Sequence, residues 1–199
     1  MASNLQLVRS PASVKERLIV ALDLDDLERV KALVKLLAGE LGMFKVGKQL
    51  FTHAGPAVVK MIEEMEGEVF LDLKFHDIPN TVAGAVRAVT PLGPAILNVH
   101  AAGGKAMMQA ARDAAAETAD KLRIRRPKLI AVTVLTSLDE TDLEAVGQSA
   151  PIVDQVRRLA ELTKESGLDG VVCSPREIEV LRRDLGDDFL LVAPGIRPS

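Results

Sequence analysis

Short, nearly continuous apolar runs alternate along the chain with longer stretches in which apolar residues recur at helical spacing. The runs are Leu18 to Leu24, Met43 to Gly47, Val69 to Leu73, Ala95 to Val99, Leu129 to Leu135, Gly170 to Cys173 and Phe189 to Ala193. Each has the length of a strand that is buried on both faces and so does not alternate with polar residues. Between them, Leu27, Val30, Leu33, Val34 and Leu37 mark one side of a helix, as do Ile152, Val153, Val156, Leu159 and Leu162 later on. The Ala-rich stretch from Lys105 to Ala119 is predicted helical on propensity. Asp25 or Asp26 suits the cap of the first helix, Pro79 a first helical turn, and Gly167 a helix exit.

A strand followed by a helix, repeated seven times, implies parallel strands joined by helical crossovers. Two architectures share that order, an open doubly wound sheet and a closed (β/α)8 barrel. A barrel spreads functional residues over the carboxyl ends of many strands, whereas an open sheet gathers them near its switch point. Here polar residues recur at those ends: Asp23, Lys45, Asp72 with Lys74, His100, Thr136, Ser174 and Arg197. The first strand also ends in Asp23-Leu-Asp25-Asp26, without the glycine-rich turn of a dinucleotide fold. The expectation is an α/β chain of the (β/α)8 TIM-barrel class, a single domain over residues 1–199 with an N-terminal extension at 1–14.

The 199 residues, 48% of them hydrophobic, suffice for one sizeable core. The formal net charge of -3 arises from interspersed signs with no long basic block, which argues against nucleic acid as a partner. No apolar run approaches the ~20 residues of a membrane span, and the polar N-terminus lacks a signal-peptide core, so a cytoplasmic location is expected. The lone Cys173 fits a small buried side chain in a reducing compartment. His76 and His53 have no neighbours that complete a metal set, and no metal is expected. His76 is expected to pack or hydrogen-bond beside the site, and His100 to contact a ligand or to support the neighbouring charges.

Those charges carry the chemistry. Asp72 and Lys74 are two apart, so in strand geometry both point to one side while Leu71 and Leu73 point to the other. Lys45 and Asp77 extend the pair to an alternating lysine and aspartate set. Carboxylates within a few ångströms favour the charged lysine, which makes it a placed proton donor. A structural salt-bridge cluster at the barrel rim would use the same residues. The longer run Asp72-Leu-Lys74-Phe-His-Asp77-Ile-Pro-Asn-Thr81 resembles the signature of the orotidine 5′-monophosphate decarboxylase family. Ala-Leu-Asp23, Phe-Lys45-Val-Gly, Asn-Val-His100-Ala, Val-Leu-Thr136-Ser and Pro194-Gly-Ile-Arg197-Pro follow in the family's order and spacing, from about residue 17 to the end.

The resemblance implies a cofactor-free decarboxylation of orotidine 5′-monophosphate to uridine 5′-monophosphate in pyrimidine biosynthesis. By the same resemblance, Lys74 protonates C6 of the pyrimidine, Asp72 faces the departing carboxylate, and Asp77 enters the site of a partner chain in a homodimer, with Thr81 beside it. Asp23 and Lys45 match residues that bind the ribose, and Thr136 matches one at the base. Pro194 and Arg197 are expected at the phosphate, where barrel enzymes often combine backbone N–H groups with a cation. The family continues beyond this point through a phosphate-binding loop and an eighth strand, so the eighth strand and its helix are expected to be absent from these 199 residues by truncation. Two rivals remain. A magnesium-dependent relative, such as 3-keto-gulonate 6-phosphate decarboxylase or hexulose 6-phosphate synthase, shares Asp-x-Lys-x-x-Asp, and a non-catalytic binding protein would retain the frame without the reaction.

Overall fold

The computed structural model describes residues 15–148 and 151–196. The N-terminal extension at 1–14 and Arg197 lie outside the described residues. The chain divides into two compact units, Met1–Phe70 and Leu71–Ser199, with the boundary inside a strand.

The first unit contains β1 (Ile19–Ala21), α1 (Leu27–Leu37), β2 (Met43–Gly47), α2 (Lys48–Ala54), α3 (Ala57–Glu64) and the beginning of β3 (Val69–Phe75). Its strands neighbour one another in chain order, and β1 pairs in parallel with β2, Ile19 opposite Met43 and Ala21 opposite Lys45. β1 is shorter than the apolar run from Leu18 to Leu24. Leu22 still donates its N–H to the Lys45 carbonyl, but the aspartates beyond it turn the backbone toward the helix. Of the two candidate caps Asp26 serves, accepting the N–H of Glu28 at 2.9 Å and of Arg29 at 3.2 Å. A side chain that satisfies two first-turn donors competes well with continued strand pairing. Val30 and Val34 of α1, Phe44 and Val46 of β2, and Val59 and Ile62 of α3 are buried in this unit's core.

The second unit continues from β3 through α4 (Pro79–Val89), β4 (Ile96–His100), α5 (Gly104–Leu122), β5 (Lys128–Val132), α6 (Glu140–Ala145), α7 (Ile152–Glu165), β6 (Gly170–Val172), α8 (Ile178–Leu185) and β7 (Leu190–Val192). Strands again neighbour in chain order. Ile96 lies opposite Lys128, Ile130 opposite Gly170, and Gly170 opposite Leu190, all in parallel ladders. This is the strand and helix order of the (β/α)-barrel class that the hydrophobic pattern predicts, with seven strands among the described residues.

Local chemistry sets the helix positions. Pro79 occupies the first turn of α4, where its missing N–H costs nothing, and Gly167 follows α7 at φ 78°. On α7, Val156, Leu159, Ala160 and Thr163 face inward, and Val156 and Ala160 join Val171, Cys173, Leu181 and Phe189 in one cluster. Val153, expected on that side, is exposed instead, because the buried stripe runs along Val156, Leu159, Ala160 and Thr163. β5 ends at Val132, short of the predicted Leu135, and the Thr133 hydroxyl donates to the Val172 carbonyl at 2.9 Å as the chain turns away.

Two features lock β5, β6 and β7 together. Gly170 sits so close to β7 that a Cβ there would fall 2.1 Å from the Leu190 carbonyl oxygen. Asp169 accepts two hydrogen bonds from the Arg126 guanidinium, at 2.9 and 2.7 Å, and one from the Leu129 N–H at 2.7 Å. Burial pushes the Asp169 carboxyl up, but the guanidinium and the backbone N–H outweigh it and leave the group below the usual carboxylate range.

Candidate active site at the end of strand three

β3 is buried from Val69 through Asp72 and becomes half-buried from Leu73 to Phe75. The strand therefore carries its acid below the rim and its lysine at the opening. Asp72 is 8% exposed, and the Lys74 side chain retains 26% of its exposure. Lys74 Nζ donates to Asp72 Oδ1 at 2.6 Å. The two side chains meet as the sequence spacing predicts, but not through regular strand geometry. Lys74 has φ 52°, in the left-handed region that a residue with a Cβ enters at a cost of roughly 1–3 kcal/mol.

Asn98 from the middle of β4 accounts for that conformation. Its Oδ1 accepts the Lys74 backbone N–H at 2.8 Å, and its Nδ2 donates to Asp72 Oδ1 at 2.6 Å. One Asp72 oxygen thus receives both an ammonium and an amide. Asn98 is fully buried, and no role is assigned to it from the sequence alone. The available signal was its position inside an otherwise apolar strand, since a buried amide must find hydrogen-bond partners and here finds them on the charged pair.

His76 and His100 lie next to this cluster with ring centroids 5.4 Å apart and planes tilted by 33°. His76 is exposed with its ring against that of His100, and a Cβ on the adjoining Gly103 would meet Met107 Cε at 2.0 Å and His76 Cδ2 at 3.3 Å. Asp77 does not join Asp72 and Lys74 within the chain. Its Oδ1 instead accepts the N–H of Ile78 at 2.6 Å. Asp77, Ile78 and Thr81 are exposed at the start of α4, Ile78 by 65%. Thr136 is exposed in the turn beyond β5, four residues past the strand's last residue. Pro194 is exposed after β7 and is followed by Gly195 at φ 78°, a conformation that glycine adopts without penalty.

In the first unit, Lys45 Nζ donates to Asp23 Oδ1 at 3.0 Å across the ends of β2 and β1. Gly47 gives that pair room, for a Cβ there would stand 3.1 Å from Lys45 Nζ and 3.3 Å from Asp23 Oδ1. A groove of about 570 Å³ opens nearby in the same unit, lined by Asp25, Lys48, Gln49, Thr52 and His53. It holds none of the candidate site residues. Among the described residues there is no group of three or more His, Cys, Asp or Glu side chains placed to hold a metal ion. Cys173 is buried, and burial foremost, then the Glu177 carboxylate, pushes its thiol up to about 12. A neutral thiol of that kind is a packing group.

The geometry can therefore present an ammonium, held by a buried carboxylate, at the carboxyl end of a parallel strand. Comparisons with known proteins identify the family. Residues 16–199 match the model of the orotidine 5′-phosphate decarboxylase / HUMPS family. Orotidine 5′-phosphate decarboxylase of Moorella thermoacetica is 56% identical over 186 residues, 93% of this chain and 74% of that protein. The enzyme of the same name from Rhodospirillum rubrum is 58% identical over 180 residues, 90% of this chain and 73% of that protein. Among solved structures, orotidine 5′-phosphate decarboxylase from Lactobacillus acidophilus superposes with a TM-score of 0.83 at 42% identity, covering 91% of this chain and 81% of that one. The chain belongs to the orotidine 5′-phosphate decarboxylase / HUMPS family.

Proposed function

We propose that the protein is a carboxy-lyase that converts orotidine 5′-monophosphate to uridine 5′-monophosphate in de novo pyrimidine biosynthesis, without a cofactor. The observation that carries the reading is the Lys74 ammonium 2.6 Å from the buried Asp72 carboxylate at the end of β3, in a chain more than half identical to two enzymes of that name.

In the proposed reaction the bond between C6 and the carboxylate carbon breaks, carbon dioxide leaves, and the electron pair remaining at C6 takes the proton from Lys74 Nζ. No ring carbonyl is placed to delocalise that pair as an enolate, so fixed charge must stabilise it. Preorganised charges in a water-poor pocket supply such stabilisation with little reorganisation. Asp72 faces the departing carboxylate and holds the Lys74 ammonium at 2.6 Å for the proton transfer. Asp23 and Lys45 bind the ribose, Thr136 the base, and Pro194 and Arg197 the phosphate. Phosphate binding, remote from C6, can contribute to closing and ordering the site.

Asp77 and Thr81 act in the site of a second copy in a homodimer. Their exposure beside the apolar Ile78, and the failure of Asp77 to reach Lys74 within its own chain, support that assignment. No helix among the described residues is long and apolar enough to cross a membrane, and we assign the protein to the cytoplasm.

The deciding assay follows orotidine 5′-monophosphate consumption with and without a chelator, in wild type and in Lys74→Ala. Turnover that resists the chelator and disappears in the variant is expected. Chelator-sensitive turnover would favour the magnesium-dependent relatives, and tight nucleotide binding without turnover would favour a binding protein.

A further inference from the structure

The buried amide of Asn98 has no part in the proposed chemistry, yet both of its hydrogen bonds go to the two residues at the centre of it. We propose that Asn98 is a positioning residue that fixes Asp72 and Lys74 as one unit, an inference that rests on the decarboxylase reading above.

Hydrogen-bond chemistry makes an amide the matching group. The Lys74 N–H needs an acceptor and the Asp72 carboxylate needs a donor, so the Asn98 oxygen must face the first and its nitrogen the second. The reversed orientation would set an oxygen against a carboxylate and an NH2 against an N–H. A leucine of similar size would leave the Lys74 N–H and one site on Asp72 unsatisfied. A buried polar group left without a partner is more costly than the net value of the bond it lost.

Asn98 interrupts the apolar strand Ile96–His100, where its neighbours Leu97 and Val99 are fully buried. Its acceptor is used at Lys74, a residue whose φ of 52° is strained without support. The left-handed turn sets the path of the lysine side chain, and the amide holds that turn. The donor converges with Lys74 Nζ on the same Asp72 oxygen, which fixes the carboxylate rotamer and, through it, the ammonium. Since a displacement of about 1 Å in a reacting group can cost on the order of 100-fold in rate, holding both partners from one rigid strand has a direct catalytic consequence.

The test compares wild type with Asn98→Ala and the isosteric Asn98→Asp. Two measurements are made: the Asp72 carboxyl titration by carbon-13 NMR, and kcat and KM for orotidine 5′-monophosphate across pH. In Asn98→Ala the Asp72 midpoint should move upward, because the charged form loses a donor. Its kcat should fall by about 10- to 100-fold, the worth of one hydrogen bond to a charged group. KM should remain within about threefold, since the loss affects the reacting geometry more than binding. Asn98→Asp should behave differently with pH. When protonated it reproduces both bonds, so its kcat relative to wild type should be highest at low pH and fall as the paired carboxyls lose their shared proton.

A folded Asn98→Ala with an unmoved Asp72 titration, or with kcat within about twofold of wild type, would overturn the proposal. So would a raised KM at unchanged kcat. If alanine prevents folding, the isosteric aspartate provides both readouts. Wild type without turnover would defeat the decarboxylase reading, and the Asp72 titration would then decide the positioning role by itself.

Discussion

Lys74 Nζ stands 2.6 Å from Asp72 Oδ1, the acid nine-tenths buried and the ammonium at the opening. In the proposed reaction the carboxylate of this pair orients the ammonium that donates the proton. Asp72→Asn keeps the shape and removes the charge, so the variant should fold with near-native stability while kcat falls by on the order of 10²- to 10⁴-fold. Steady-state kinetics beside a thermal melt checks this. Retention of wild-type kcat would remove Asp72 from the mechanism.

Exposed Asp77 is expected to work in the partner's site. Lys74→Ala and Asp77→Ala should each be inactive alone. Mixing the two after dissociation and reassociation should restore turnover, because one site of each hybrid dimer then combines an intact Lys74 with an intact Asp77. No recovery on mixing, with hybrids demonstrated by mass spectrometry, would place Asp77 in its own chain's site.

The Asp169 network predicts an acid-dependent stability. Asp169 is held below its ordinary value, so its contribution is present above the unfolded carboxylate value of about 3.9 and is lost as pH falls through the lower folded value. Asp169→Asn should destabilise the protein by roughly 1–3 kcal/mol at neutral pH, towards the lower end because Arg126 remains about a third exposed. Denaturant melts should show the difference shrinking below about pH 4. A constant gap down to pH 2 would contradict the assignment.

Gly170 has no room for a side chain beside the Leu190 carbonyl. Gly170→Ala must push β6 from β7, at a cost of about 1–3 kcal/mol or more. The midpoint of chemical denaturation should fall accordingly. By contrast Gly84, with open space around its Cβ position, should accept alanine within a helix and gain stability.

Cys173 should be inert in the folded protein. Its thiol, buried and raised to about 12, stays neutral at pH 8, so a thiol reagent should modify it only as the chain unfolds. Rapid stoichiometric labelling under native conditions would show that β6 opens readily.

Much of this structure could be read from local pattern. Met43–Gly47 coincides with the predicted run, and α1 spans the predicted periodic residues from Leu27 to Leu37, because apolar periodicity and a capping aspartate act over a few residues. The ends of β1 and β5 moved inward where turns claimed the backbone, which places Thr136 in a turn, whereas β3 runs on to Phe75 and β4 to His100. The sequence by itself determined the alternation of strand and helix, the charged residues at the strand ends, and the Asp72 to Thr81 run, since covalent spacing keeps those groups together in any fold of the chain. Only the tertiary structure decided that Lys74 adopts a left-handed backbone and that Gly170 must have no side chain. It also decided that Asn98, 24 residues from Lys74 and 26 from Asp72, joins them. Those facts depend on strands brought side by side, and no periodicity or short-range spacing encodes the contact between them.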